Sequence, residues 1–438
     1  MIRIKVAVIG AGLAGCEASY QLAKRGIDVV LYDMKPSFFT PAHSNPNFCE
    51  LVCSNSLKSD DSLVASGLLK RELEAFDSIV LKCARQTRVS AGGALAVDRE
   101  KFSSLVTEEI KKFPNIEIIS AVVADIPQAD FVIVATGPLT DGKLLQSLSE
   151  ILKTENLAFY DASSPIVTYD SIDFNFAFVG DRYGKGDGDY INCPMNKEEY
   201  EKFYDALISA QTVQLHSFER KEIFEGCMPI EIMAKRGKDS IRFGPLKPVG
   251  LTNPKTNEKP YAVVQLRKED ENGVAYNLVG FQTNLTFGEQ KRVFSMIPGL
   301  QNANFTRYGV MHRNTFVNAP EVLEKTFQLK NDKHIFIAGQ LSGVEGYIES
   351  VMSGLLCGIN CFLEINGKEK IVLSSNTMMG AIVNYITTEN RKKFQPMNAN
   401  FGVVAPLDTI IRDEKLKKQK IYERSMEEIQ KEVLRIEK

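Results

Sequence analysis

Residues 3–9, RIKVAVI, form a short run of apolar and β-branched positions, the pattern of a buried parallel strand. The stretch CEASYQLAKRG that follows changes to helical spacing and is closed by Gly26, and a second apolar run, IDVVLYD, ends at Asp33. Farther along, ADFVIVATGP (Ala129 to Pro138) reads as another buried strand. KHIFIAGQLSGVEGYIESVMSGLLCGINC (Lys333 to Cys361) reads as a strand, a glycine turn and a helix rich in small residues. Between residues 165 and 325 this alternation breaks: the polar loops GDRYGKGDGDY (Gly180 to Tyr190) and LTNPKTNEKP (Leu251 to Pro260) separate strands such as YAVVQLR (Tyr261 to Arg267). That pattern predicts an inserted α+β unit. From Asp413 onward the chain is highly charged, with Tyr422, Met426, Ile429, Val433 and Ile436 spaced four and three apart, one apolar stripe of a surface helix. The expected division is a discontinuous nucleotide-binding domain over 1–165 and 325–412, an inserted α+β substrate domain over 166–324, and a charged C-terminal helix over 413–438.

Composition narrows the setting. A chain of 438 residues predicts two or three structural units. Read by pattern, no apolar run approaches the roughly 18 residues of a membrane span. The opening MIRIKVAVIGAG runs directly into a strand and leaves no room for a signal peptide, so no membrane association is expected. The eight cysteines (Cys16, Cys49, Cys53, Cys83, Cys193, Cys227, Cys357, Cys361) then point to reduced thiols in the cytoplasm. None forms a C-x-x-C pair, which argues against a zinc knuckle; no metal site is expected. With a formal net charge of −2, nucleic-acid binding would have to rest on local basic patches.

Gly10, Gly12 and Gly15 follow the first strand at G-x-G-x-x-G spacing. The first glycine permits the tight turn, the second lets the backbone approach a pyrophosphate, and the third allows close helix–strand packing. The stretch Gly10, Ala11, Gly12, Leu13, Ala14, Gly15 is therefore the candidate phosphate cradle, and Asp33 stands at the right distance to bind a ribose hydroxyl. A lone glycine motif also fits an ordinary turn; here strand, glycines, helix, second strand and terminal acid occur in order. The Ala135-Thr136-Gly137 strand and the late strand–glycine–helix segment resemble those of two-dinucleotide-fold flavoproteins. That resemblance adds Gly137, Gly339 and Gln340 to the pocket, predicts FAD, and implies an α/β, Rossmann-like FAD-binding fold with an inserted α+β domain. Those flavoproteins usually carry Gly-Asp where this chain has Gly339-Gln340.

Cys53 lies in ELVCSNSLKS (Glu50 to Ser59), among serines, an asparagine and a lysine, where a structural cysteine would have apolar neighbours. That block and many others carry a closer resemblance, running from Met1 almost to the tail. They include GAGLAGCEA, GLLKREL, SAGGALAVDREKFS, INCPMNKEEY, FEGCMPIEIMAKRG, IRFGPLKPVGL, AVVQLRKED, NLVGFQT, GEQKRVFSMIPGL, YGVMHRNTF, GQLSGVEGYIES and FQPMNANFG. The sequence resembles the folate- and FAD-dependent uracil-5 RNA methyltransferase family known as TrmFO.

The resemblance implies methylation of uracil C5 in the T loop of tRNA, with methylenetetrahydrofolate supplying the carbon, reduced FAD the electrons and NAD(P)H the reducing equivalents. Tetrahydrofolate and RNA are then partners, and ribosomal RNA, the substrate of the related RlmFO family, is the alternative target. Uracil C5 is too weak a nucleophile to react unaided, and a thiolate adding at C6 activates it. The family's two cysteines match Cys53 and Cys227, with Cys227 favoured for attack on uracil and Cys53 beside the flavin. Tyr347 in GVEGYIES is a candidate acid/base or flavin-stacking residue. His312 and Arg313 in MHRN either contact substrate or cap a turn. Lys235, Arg236, Lys238, Arg242 and Lys247 crowd around the Cys227 segment, either as phosphate ligands or as a solvated face. Asn284 and Phe287 stand where the family leads one to expect histidine and tryptophan, and the chain has no tryptophan. Two other classes stay open: a flavin-dependent disulfide or small-molecule oxidoreductase using Cys49 and Cys53, and a non-catalytic RNA-binding flavoprotein.

Overall fold

A computed structural model describes residues 4–40, 42–140, 142–153, 157–184, 188–213, 228–389 and 394–437, with 157–161 and 312–313 described by backbone alone. The apolar runs of the first and last thirds of the chain assemble into one five-stranded sheet. Its order is Ile335–Ile337, Phe131–Val134, Lys5–Ile9, Asp28–Asp33, Ile116–Ser120. Every pairing in it is parallel. Such strands are covered on both faces, which is why they read as continuous apolar stretches rather than alternating ones. Their side chains join a core that also takes in the helices Leu13–Ala23, Ala65–Ala75, Tyr347–Ile365 and Met378–Thr387.

Residues 166–307 contribute a second, six-stranded sheet in the order Phe178–Val179, Tyr190–Met195, Ala262–Lys268, Ala275–Leu278, Ile166–Thr168, Phe305–Arg307. All of its pairings are antiparallel. It has a separate core, built around Tyr200, Phe203, Phe281 and Phe294.

The helix Tyr347–Ile365 corrects one expectation from the sequence. It is long and apolar enough to cross a membrane, with a mean hydropathy of 1.4, yet 78% of that window is buried inside the protein. Its small residues explain the apolarity: a Cβ on Gly354 would lie 2.1 Å from the Ala14 carbonyl oxygen, and one on Gly358 2.8 Å from that of Ala18. The long helix thus lies directly against the backbone of Leu13–Ala23, the helix that begins at the glycine loop.

The charged helix Glu414–Ile436 forms where expected, but the face it buries is shifted. Ile421, Ser425, Ile429 and Ile436 are buried, whereas Tyr422 and Val433 are only half-covered. The reason is polar. The buried Glu72 carboxylate accepts the Ser425 hydroxyl and the backbone N–H groups of Met378 (2.6 Å) and Met379 (2.7 Å), so a serine lies at the centre of the docked face. Burial raises the Glu72 pKa to about 7 against those hydrogen bonds.

Because the neighbour of Gly354 is backbone, it cannot swing aside, and Gly354→Ala is expected to destabilise the protein by about 3 kcal/mol or more. Thermal melting of the variant against the wild type measures this, and an unchanged melting temperature would contradict the contact.

Candidate active site

Open α/β sheets bind ligands at the carboxyl ends of their strands, where the chain turns into loops. Here those ends are Ile9, Asp33, Val134 and Ile337, and the loops after them surround a cavity of about 640 Å³. Gly10, Ala11, Gly12, Leu13, Ala14, Asp33, Gly137, Gly339 and Gln340 all line it. Gly10 has φ of 99°, a conformation that favours glycine, and a Cβ on Gly12 would meet nothing within 4 Å, so the loop presents bare backbone to the cavity. Gly15 is the one predicted glycine absent from the lining. Its role is packing, since a Cβ there would lie 1.8 Å from the Gly10 carbonyl oxygen. The Asp33 carboxylate accepts the backbone N–H groups of Ala11 (2.7 Å) and Lys35 (2.8 Å) and so fixes the loop it faces.

The same cavity reaches Cys53 and Tyr347. The Tyr347 hydroxyl oxygen accepts two consecutive backbone N–H groups, from Cys53 (2.8 Å) and Ser54 (3.1 Å). Burial, and then the nearby Cys53 charge, push the phenol pKa well above its usual value, so Tyr347 keeps its proton at neutral pH. Three arginines surround this loop. Arg99 donates to the Leu51 carbonyl (2.8 Å) and pairs with Glu269 (2.5 Å), and Arg267 donates to the Ser54 hydroxyl (2.7 Å). Arg307 is half-buried close by; burial and the Arg99 charge lower its pKa, opposed by the charges of Cys53 and Tyr347. Asn55 completes the hold, donating to the carbonyls of Lys268 (2.8 Å) and Val97 (3.1 Å).

None of these three arginines stands out in the sequence. Each sits inside or beside an apolar strand or at a helix start, and only folding brings them to one loop. The other cysteines differ from Cys53. Burial pushes the thiols of Cys16, Cys83, Cys193, Cys357 and Cys361 up, those of Cys83 and Cys193 to about 12. Cys49 is buried and lines the same cavity as Cys53, while the Cys16 thiol donates to the Ala11 carbonyl (3.3 Å). Cys227 lies outside the described residues, as do the side chains of His312 and Arg313.

The basic cluster lies away from the cavity lining. Lys235, Arg236, Lys238 and Lys247 are exposed, and Lys238 pairs with Glu201 (2.9 Å). Arg242 is half-buried, its guanidinium 4.2 Å from the Tyr261 ring centroid and 3.3 Å from Asp239.

A family model described as "Glucose inhibited division protein A" matches residues 5–369. Among curated proteins, the "Methylenetetrahydrofolate--tRNA-(uracil-5-)-methyltransferase TrmFO" of Acetivibrio thermocellus is 55% identical over 419 residues, covering 96% of this chain and 95% of that protein. The protein of the same name from Fusobacterium nucleatum is 56% identical over 423 residues, covering 97% of each. Among solved structures, Aquifex aeolicus GidA in its form II crystal superposes with a TM-score of 0.70 at 17% identity. It covers 99% of this chain and 73% of that one, a likeness of fold.

Tyr347→Phe removes the acceptor of two backbone N–H groups. The expected cost is about 1–3 kcal/mol for each donor left unsatisfied, felt locally in the Cys53 loop. Hydrogen–deuterium exchange at Cys53 and Ser54 should quicken. Unchanged protection there would mean that Arg99, Arg267 and Asn55 hold the loop without the hydroxyl.

Proposed function

This chain belongs to the TrmFO branch of the Glucose inhibited division protein A family, and we propose that it methylates C5 of uracil in tRNA using methylenetetrahydrofolate and FAD. The observation that carries this reading is one cavity lined both by the glycine loop and by Cys53 with Tyr347. A nucleotide cofactor and a reactive thiol would meet there. The uridine of the T loop is the target that the family resemblance implies, and NAD(P)H is the expected source of reducing equivalents.

The residues present suit FAD. Bare backbone from Gly10 to Gly12 at the start of the helix Leu13–Ala23 would take the pyrophosphate, with the helix N-terminus favouring its charge. Asp33 retains acceptor capacity toward a ribose hydroxyl. Gly137, Gly339 and Gln340 close the pocket from the neighbouring strands. When bound and reduced, the flavin supplies the electrons that turn the transferred methylene group into methyl.

The chain's own groups perform the rest. A cysteine thiolate forms a bond to uracil C6, and the electron pair of the C5–C6 double bond moves toward O4. C5 then attacks the one-carbon electrophile; loss of the C5 proton expels the carrier nitrogen and leaves an exocyclic methylene, and a hydride equivalent added to that carbon would give the methyl group as the ring electrons expel the thiolate and restore the double bond. Cys53 lies in the cavity, within reach of the cations Arg99 and Arg307, which suit an anion formed there. Tyr347, protonated at neutral pH and already accepting two amides, has its own proton to donate toward a developing oxyanion or thiolate. Cys227 is the second family cysteine, favoured for attack on uracil, with Cys53 serving beside the flavin. The unit over 166–324 serves as the substrate domain, on which Lys235, Arg236, Lys238 and Lys247 engage phosphates while Arg242, set against Tyr261, shapes their segment. The unit formed by 1–165 and 325–412 serves as the FAD domain.

Purified protein should be yellow and should transfer a methyl group to unmodified tRNA with methylenetetrahydrofolate and NADPH, and ribosomal RNA tested beside it separates the two targets. A requirement for S-adenosylmethionine would overturn the reading. In RNA carrying 5-fluorouracil the fluorine at C5 cannot leave as the proton does, so a covalent complex should accumulate. Alanine at the attacking cysteine should abolish trapping with flavin still bound, and alanine at the other should lower turnover more than trapping. Undiminished trapping in the Cys53→Ala, Cys227→Ala double variant would defeat covalent catalysis.

A further inference from the structure

The aromatic rings of the second unit meet at many angles: Phe281 and Phe294 at 79°, Tyr200 and Tyr261 at 61°, Phe203 and Phe281 at 43°, Tyr200 and Tyr204 at 28°. Near its surface three rings lie almost parallel. Tyr308 stacks on Phe287 with centroids 5.0 Å apart and planes 16° apart, and on Phe305 with centroids 5.5 Å apart and planes 13° apart. Phe287 is 55% exposed, a large apolar ring that burial does not account for.

The stack is built to be rigid. Phe287 opens the helix Phe287–Phe294, and the buried Gln290 of that helix ties it to the segment carrying the other two rings. The Gln290 amide donates to the carbonyls of Leu285 and Gly309 (2.8 Å each), and the Gly309 N–H donates back to the Gln290 side-chain oxygen (2.8 Å). Exposed Lys291 lies four residues after Phe287, on the same helix face. Both segments also lead inward. Gln282, five residues before Phe287, lines the cavity that contains Cys53. Arg307, beside Tyr308 in the chain, is half-buried close to Cys53 and Tyr347.

A flat aromatic surface with a cation one helical turn away is how proteins engage unpaired nucleotides: the ring takes the base and the cation its phosphate. A protein partner would need a broader apolar patch, whereas here the exposed ring has the cation Lys291 on its own helix, with Arg292 paired to Glu289 (2.6 Å). We infer that Phe287, Tyr308 and Phe305 form a stacking platform for an unpaired nucleobase of the RNA, with Lys291 taking the adjoining phosphate. The platform holds a nucleotide neighbouring the target uridine while that uridine enters the cavity past Gln282. This deepens the RNA-methylating reading and rests on it.

The test uses the full-length flavoprotein and an unmodified tRNA transcript. Phe287→Ala should raise KM for the transcript about fivefold or more, with kcat moved less than about twofold and flavin content unchanged. Phe287→Trp should restore KM. It also introduces the sole indole of a chain that has no tryptophan, and a base stacking on it should quench its emission as transcript is added. An unchanged KM in Phe287→Ala, or indole emission that does not move at transcript concentrations saturating methyl transfer, would overturn the platform. Failure of the wild type to methylate any RNA would count against the activity instead, and the quenching titration would still judge the platform by itself.

Discussion

Everything proposed for this protein depends on where one five-residue loop is held, and the Tyr347 hydroxyl is its central fastening. By accepting the N–H groups of Cys53 and Ser54 it joins residues 294 and 293 positions apart in the chain. The remaining ties come from other directions: Arg99 to Leu51, Arg267 to Ser54, and Asn55 to the carbonyls of Val97 and Lys268. The parallel-sheet unit supplies one set of partners and the antiparallel sheet the other. Neither sheet alone would fix the position of Cys53 relative to the cavity.

Cations gather around that loop. Arg99, Arg267 and Arg307 lie near it, with Glu269 paired to Arg99 and Glu50, the residue before the loop, paired to Lys35. Burial lowers the pKa of Arg267 and Arg307, which means that each guanidinium gives up hydration on folding. An anion arriving or forming in the cavity would return part of that lost solvation. A thiolate, an enolate oxygen or a phosphate would each serve, and the chemistry proposed here generates or brings all three.

The glycine-loop side of the cavity was legible because its requirements are local. A strand, glycines at fixed spacing and an acid at the end of the next strand are imposed by one short segment on itself, and Gly10, Gly12 and Asp33 stand where that logic puts them. The arginines were not legible, since what matters about them is the company they keep across sheets, which no spacing encodes. The long helix misled for a related reason. Small and apolar residues suit lipid and a closely packed partner helix equally, and only the contacts of Gly354 and Gly358 with Leu13–Ala23 tell them apart. Ser425 was passed over because a hydroxyl within a stripe looks like an interruption, when a buried carboxylate opposite makes it the best residue there.

That carboxylate has a consequence for proton balance. In the folded protein Glu72 titrates near 7, above the 4.5 usual for its kind, so the native chain holds a proton that the unfolded chain releases earlier. Across the interval between those values folding takes up a proton. The contribution of this group is therefore complete on the acid side of the interval and is lost as pH rises through about 7. The docking of the last helix, through Ser425, and the start of the helix Met378–Thr387 share that proton. Alkaline conditions would load a full negative charge onto the buried group that fastens both, leaving its three donors to hold that charge away from water.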